Sequence, residues 1–140
     1  MNILVGVDGS TSSMRAGAYA VGLARRQHGR LVAVYVRARP SALLPLVDGG
    51  GAGVATLVDA QEAVEQELRD AFTTYVPQLL VDAQLLVRTG EPYAELAAVA
   101  EQIQADAVIV GRSTKMLHRV AGSVSVKLVR CGRWPVTVVP

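Results

Sequence analysis

The chain has 140 residues, 51% hydrophobic and 19% charged, with one cysteine, Cys131. That length builds one domain whose core stands without staples, and the lone thiol excludes an internal disulfide framework and a cysteine-based zinc cluster. Net charge is only +2 and aromatic content 4%, too thin for a base-stacking nucleic-acid surface, and no apolar run approaches the roughly 18 residues of a membrane span.

The opening MNILVGVDGS carries Asp8 and lacks a basic start, so it does not read as a secretion signal. The expectation is a cytoplasmic domain with neither nucleic-acid nor membrane partner. Charge is unevenly spread. Residues 61–110 hold nine acids against two cations, whereas residues 111–140 hold Arg112, Lys115, Arg119, Lys127, Arg130 and Arg133 and no acid. Such an end attracts an anion such as phosphate, or is simply a solvated basic face.

In chain order, Ile3 to Val7 (ILVGV) is a short apolar strand that ends in the turn Asp8-Gly9-Ser10. Thr11 to about His28 reads as a helix stopped by Gly29, and Leu31 to Val36 (LVAVYV) as a strand buried on both faces. Residues 38–53, with Pro40, Pro45 and four glycines, read as a long flexible surface loop. Leu57, Gln61, Val64, Leu68, Ala71, Phe72 and Tyr75 then share one helical face, and that helix stops before Pro77. Ala83 to Val87 is a third strand. A third helix begins at Gly90-Glu91-Pro92 and buries Leu96, Val99, Ala100 and Ile103. Ala107 to Val110 is the fourth strand, a fourth helix starts near Gly122-Ser123, and Val136 to Val139 closes the chain.

Five strands alternating with four helices give an α/β domain, a mainly parallel sheet covered on both faces. In such sheets ligands bind beyond the carboxyl ends of the strands, where strand order reverses. Two strand ends carry suitable chemistry: Asp8-Gly9-Ser10, and Gly111-Arg112-Ser113-Thr114. The Asp8 carboxylate could accept from a ribose or hold a metal beside a phosphate; on the plainer reading Asp8 or Ser10 caps the helix. Gly111 permits close backbone approach, and Gly122-Ser123 opens a helix whose free N–H groups and positive dipole end suit an anion. The alternative is an ordinary strand–loop–helix connection. There is no Walker motif, no GxGxxG after the first strand and no GxSxG elbow. His28, His118 and Cys131 are too scattered for a metal site or a thiol–imidazole pair.

Taken together, ILVGVDGS, GEPYAELAAVAEQIQADAVIVG and GSVSVKLVRCGRWPVTVV resemble the universal stress protein family over essentially the whole chain. The resemblance implies one domain over residues 1–140 with a Rossmann-like, adenine-nucleotide-hydrolase-like sheet in the order 3-2-1-4-5. Nucleotide-binding members carry Gly-x2-Gly-x9-Gly-[Ser/Thr] around the ribose and phosphates of ATP. Here Gly111 and Gly122-Ser123 match the ends, but Thr114 stands at the second glycine and only seven residues separate it from Gly122. That spacing looks like the branch that does not bind ATP, while Gly122-Ser123 looks like the branch that does. The residues carried over for ATP or AMP are Asp8, Ser10, Val36, Gly111, Arg112, Ser113, Gly122, Ser123 and Val124. Asp8 would face the adenosine and Val36 would line the adenine pocket. Lys115, His118 and Arg119 could add charge. The implied function is a stress-response, adenine-nucleotide-binding regulatory module. The alternatives are a protein-interaction module of the non-ATP-binding branch or a weak nucleotide hydrolase. A homodimer through residues 135–139 is expected, on the resemblance and on the apolar last strand.

Overall fold

The computed structural model of the chain describes residues 1–39, 51–112 and 123–140, those of 51 and 52 by backbone alone. Strand β1 (Asn2–Val7) leads into α1 (Thr11–Gln27), β2 (Arg30–Arg37) and α2 (Gly51–Thr74). A single 3-10 turn over Val76–Leu79 precedes β3 (Asp82–Thr89); α3 (Pro92–Gln102), β4 (Ala107–Gly111), α4 (Val124–Cys131) and β5 (Val136–Val139) follow. The five strands form one parallel sheet in the order β3-β2-β1-β4-β5. Order reverses between β1 and β4, so the carboxyl ends of β1, β2 and β4 frame the switch point.

Strand residues alternate between two cores, as the two-residue period requires. On one face Ile3, Val5, Val7, Leu31, Ala33, Tyr35 and Ile109 meet Ala16, Ala20 and Ala24 of α1 and Leu68 of α2. The alanines recur every four residues, and their small size lets α1 lie close over the centre of the sheet. On the other face Leu4, Val32, Val34, Val108 and Val110 meet Leu96, Val99 and Ala100 of α3 and Leu128 of α4. At the amino ends of the strands Asn2 ties the first strand to the fourth. Its N–H donates to Asp106 Oδ2 at 2.7 Å, its side-chain amide to the Ile103 carbonyl at 2.8 Å, and its carbonyl accepts from Asp106 N at 2.8 Å.

Two boundaries differ from the sequence expectation. The end of α1 turns through His28, whose φ of 49° is left-handed, rather than through Gly29. Gly29 is needed for space instead, since a Cβ there would lie 2.8 Å from the Met1 carbonyl oxygen. Helix α2 begins at Gly51 and so takes in Gly51 to Gly53, which their glycine content assigned to the loop. Glycine in a helix costs about 1 kcal/mol relative to alanine, a local preference that the packing of a 24-residue helix can override. The rest of that loop, residues 40–50, lies outside the described residues.

Candidate functional site

Register places the two predicted strand ends side by side. Val7 pairs with Tyr35 of β2, and Val5 with Ile109 of β4. Asp8 follows β1, Val36 lies near the end of β2 and Arg112 follows β4, so all three stand at the carboxyl ends that frame the switch point.

The turn after β1 is held by its own side chains. Ser10 N donates to Asp8 Oδ1 at 2.9 Å, the bond of an Asx turn, while Ser10 Oγ caps α1 by accepting from Ser13 N at 3.2 Å. Buried Ser13 completes the loop: its Oγ accepts from Asp8 N at 3.1 Å and donates to the Ser10 carbonyl at 3.1 Å. Of the two residues offered as the helix cap, one does the capping. Ser10 is the cap, and Asp8 shapes the turn with one carboxylate oxygen.

Gly111 allows a close approach, but of the protein to itself. A Cβ there would stand 2.6 Å from the Ser12 carbonyl carbon and 2.7 Å from Ser12 O and Ser13 N, all backbone of the first turn of α1. The next peptide is held from both sides: Arg112 N donates to the Val139 carbonyl at 2.7 Å, and the Arg112 carbonyl accepts from Ser12 Oγ at 2.7 Å. The Arg112 residue itself is exposed.

Helix α4 opens at the same edge. Ser123 Oγ caps it, accepting from Val126 N at 3.2 Å and lying 3.0 Å from the Oγ of buried Ser125. Val124 packs half-buried on the Leu4–Leu128 core. Lys127 on α4 pairs at 3.7 Å with Glu91, which caps α3 through Tyr93 N and Ala94 N, so the starts of α3 and α4 are neighbours. Among the expected site residues, Ser113 and Gly122 lie outside the described residues, as do Thr114, Lys115, His118 and Arg119.

The exit of β2 is occupied by α2. Val36 turns its side chain into the α3–α4 core, half-buried. Beyond it, Ala38 N donates to Gln61 Oε1 at 2.7 Å and the Ala38 carbonyl accepts from Gln61 Nε2 at 3.4 Å. Tyr35 OH donates to the Gln61 carbonyl at 3.1 Å. Burial holds the Tyr35 phenol above its ordinary pKa; the Arg37 cation opposes this, while Glu65 and Asp8 reinforce it. Arg37 pairs with Glu65 at 3.3 Å and Glu62 at 3.5 Å, and Glu65 also takes Arg69 at 2.8 Å. In the sequence Gln61 shows only as the polar member of an otherwise apolar stripe. A shallow depression of about 340 Å³ lined by Gly22, Arg25 and Arg26 sits by the far end of α1, away from Asp8 and Gly111. Among the described residues, no three His, Cys, Asp or Glu side chains cluster to hold a metal, and no helix is long and apolar enough to cross a membrane.

The Universal stress protein family model matches residues 1–140. Among solved structures, a universal stress family protein from Burkholderia pseudomallei is 27% identical, with a TM-score of 0.75 over 99% of this chain and 95% of that one. The universal stress protein UspA from Lactobacillus plantarum is 25% identical, with a TM-score of 0.73 over 100% and 97% of the two chains. A universal stress protein in complex with cAMP is 22% identical, with a TM-score of 0.64 over 100% and 96%. No match is found among curated proteins.

Proposed function

The chain belongs to the universal stress protein family, and on that premise we propose that it is a regulatory module that binds an adenine nucleotide, AMP or ATP, and works as a homodimer. The observation that carries the reading is that the carboxyl ends of β1, β2 and β4, with Asp8, Val36 and Arg112, meet at the switch point. There a carboxylate, an apolar strand end and an exposed cation stand beside the capped starts of α1 and α4. A carboxylate suits ribose hydroxyls, an apolar wall suits a base, and helix starts with a cation suit phosphate. Similar structures are described in complex with cAMP, with AMP bound and in complex with dAMP, which supports the same ligand class here. Ser113, Gly122, Ser123 and Val124 complete the proposed contacts. The module spans residues 1–140 as one domain, and free Cys131 accords with a reducing, cytoplasmic setting.

The dimer reading rests on β5. Among the described residues it is an edge strand, paired only with β4, and Val138 is 41% exposed. Exposed Val126 and Val129 on neighbouring α4 add apolar surface next to it. A symmetric pairing through residues 135–139 would cover that edge.

A second reading, a protein-interaction module of the non-ATP-binding branch, is favoured by one observation. The space that Gly111 leaves is filled by α1 backbone, so this glycine is accounted for without a ligand. Isothermal titration with AMP, ATP and cAMP separates the two. Saturable binding that weakens in Asp8→Ala while the fold persists supports the nucleotide reading. Absence of binding to all three at millimolar ligand assigns the chain to the interaction class. Sedimentation at tens of micromolar tests the dimer, and a monomer there refutes it.

A further inference from the structure

We propose that the outer edge of β3 is a second interface, through which two copies of this chain pair as antiparallel strands about a two-fold axis at Leu85. This surface is separate from the nucleotide site and from β5, and it rests on neither reading. Among the described residues β3 lies at the end of the sheet and pairs only with β2. It is eight residues long, against four in β5, and all eight stay in unbroken register with β2. Its sequence, DAQLLVRT, holds neither proline nor lysine, whereas β5 is bracketed by Pro135 and Pro140. An edge left so unblunted is a template for another strand.

The backbone direction of the edge follows from one bond. Gly90 N donates to the Arg37 carbonyl at 2.9 Å, so the peptide after Thr89 turns its N–H towards β2. Direction alternates along a strand, so Gln84, Leu86 and Arg88 bond towards β2, while Ala83, Leu85 and Val87 present N–H and C=O at the edge. With the axis at Leu85, the two copies of Leu85 exchange both bonds, and Ala83 does the same with Val87 of the second copy. These pairs are apolar and lie on the face that α1 and α2 cover. On the other face Asp82 falls opposite Arg88 of the second copy, in the closer, non-hydrogen-bonded kind of pair, and the axis repeats the contact. Arg88 bonds Gln102 at 3.2 Å, and a guanidinium with five N–H donors can take a carboxylate as well. Gln84 falls opposite Leu86, its amide oxygen held by Arg30 at 2.6 Å. Moving the axis to Gln84 sets Asp82 against Leu86, and moving it to Leu86 sets Asp82 past the strand end, so charge selects one register. Leu80, just before β3, is 92% exposed and adds apolar surface at the end of the same edge.

Disulfide trapping in the full chain with Cys131→Ser tests the register. Leu85→Cys meets its own copy across the axis at a Cα separation of about 5.5 Å, within reach of a disulfide, whereas Asp82→Cys stands far along the strand from its own copy. Mild oxidation at a concentration on the order of tens of micromolar should convert most of Leu85→Cys to a covalent dimer and little of Asp82→Cys. Equal crosslinking of the two, or none in Leu85→Cys, overturns the proposal. Pairing through β5 does not produce this signal, because β3 and β5 lie at opposite edges of the sheet. Should Leu85→Cys fail to fold, charge exchange tests the same contact. Asp82→Arg and Arg88→Asp each set like charges opposite one another, and each should lower the mass found by sedimentation at least twofold. The double exchange restores both pairs and should restore the mass. Unchanged mass in both single variants, or a folded double variant that stays at the lowered mass, overturns the proposal.

Discussion

Adding one carbon at Gly111 tests whether that glycine serves the fold. The new Cβ of Gly111→Ala meets three backbone atoms of Ser12 and Ser13 at 2.6–2.7 Å, too close for any real Cβ contact. Backbone atoms cannot swing aside as a side-chain end does, so the first turn of α1 must lift from β4. Overpacking of this kind costs about 3 kcal/mol, the upper part of the usual range. Lifting the turn also breaks the bond from Ser12 Oγ to the Arg112 carbonyl, for about 1 kcal/mol more. The sum, about 4 kcal/mol, lowers Tm by about 12 °C in a chain of this size. Urea titration at constant m, with calorimetry for Tm, measures it. A double-mutant cycle sharpens the test: Ser12→Ala should cost about 1 kcal/mol alone and little in the Gly111→Ala background. A Tm within about 3 °C of wild type, or full additivity with Ser12→Ala, refutes the steric reasoning and returns Gly111 to a ligand.

Three further outcomes are expected. Gly17→Ala, in the middle of α1 with open space where its Cβ would go, should stabilise the protein by about 0.5–1 kcal/mol in denaturant titration. Ser123→Ala removes the cap of α4 and should cost about 1 kcal/mol, with Ser123→Gly milder. The Tyr35 pKa is raised in the fold above the 10.0 of the free phenol, so its contribution to stability is whole below pH 10 and is lost as pH climbs through the folded value. Tyr35→Phe should therefore lose about 1 kcal/mol at pH 7 with its bond to Gln61 and show a shallower fall as the pH rises above 10. An unchanged alkaline slope in that variant contradicts the assignment.

The strands were legible because each is an apolar run bounded by turn residues, and their alternation with helices leaves few parallel topologies. The site was half legible. The bonds from Ser10 N to Asp8 Oδ1 and from Ser13 N to Ser10 Oγ each span three residues or fewer, so a local window contains both the capping motif and its result. Gly111 could not be read that way. Its constraint comes from Ser12 and Ser13, about a hundred residues earlier, and only the folded sheet brings them together. Gln61 shows a middle case. Its partner Ala38 is 23 residues away, yet a polar side chain inside an apolar helical stripe marks a buried hydrogen bond seeking its other half. The start of α2 was missed because glycine content reports local preference, and a helix that packs against β3 and Gly9 is governed by its contacts instead.

The clamp at Asn2 has a consequence in time. Strands β3, β2 and β1 are consecutive in the chain, and each pairing among them closes through one intervening helix. Placing β4 against β1 instead joins residues 104 apart, Asn2 to Asp106, with two antecedent strand pairings between them. Closing a long loop early costs more chain entropy than closing it once the intervening chain is already folded. On that argument the β1–β2–β3 half is expected to assemble first and the β4–β5 half to dock onto it. Weakening the Asn2–Asp106 clamp then acts on the exit from the native state, speeding unfolding while leaving the folding rate nearly unchanged. The edge strand β5 belongs to the half expected to dock late, so its apolar face is one through which wrong association is expected during folding.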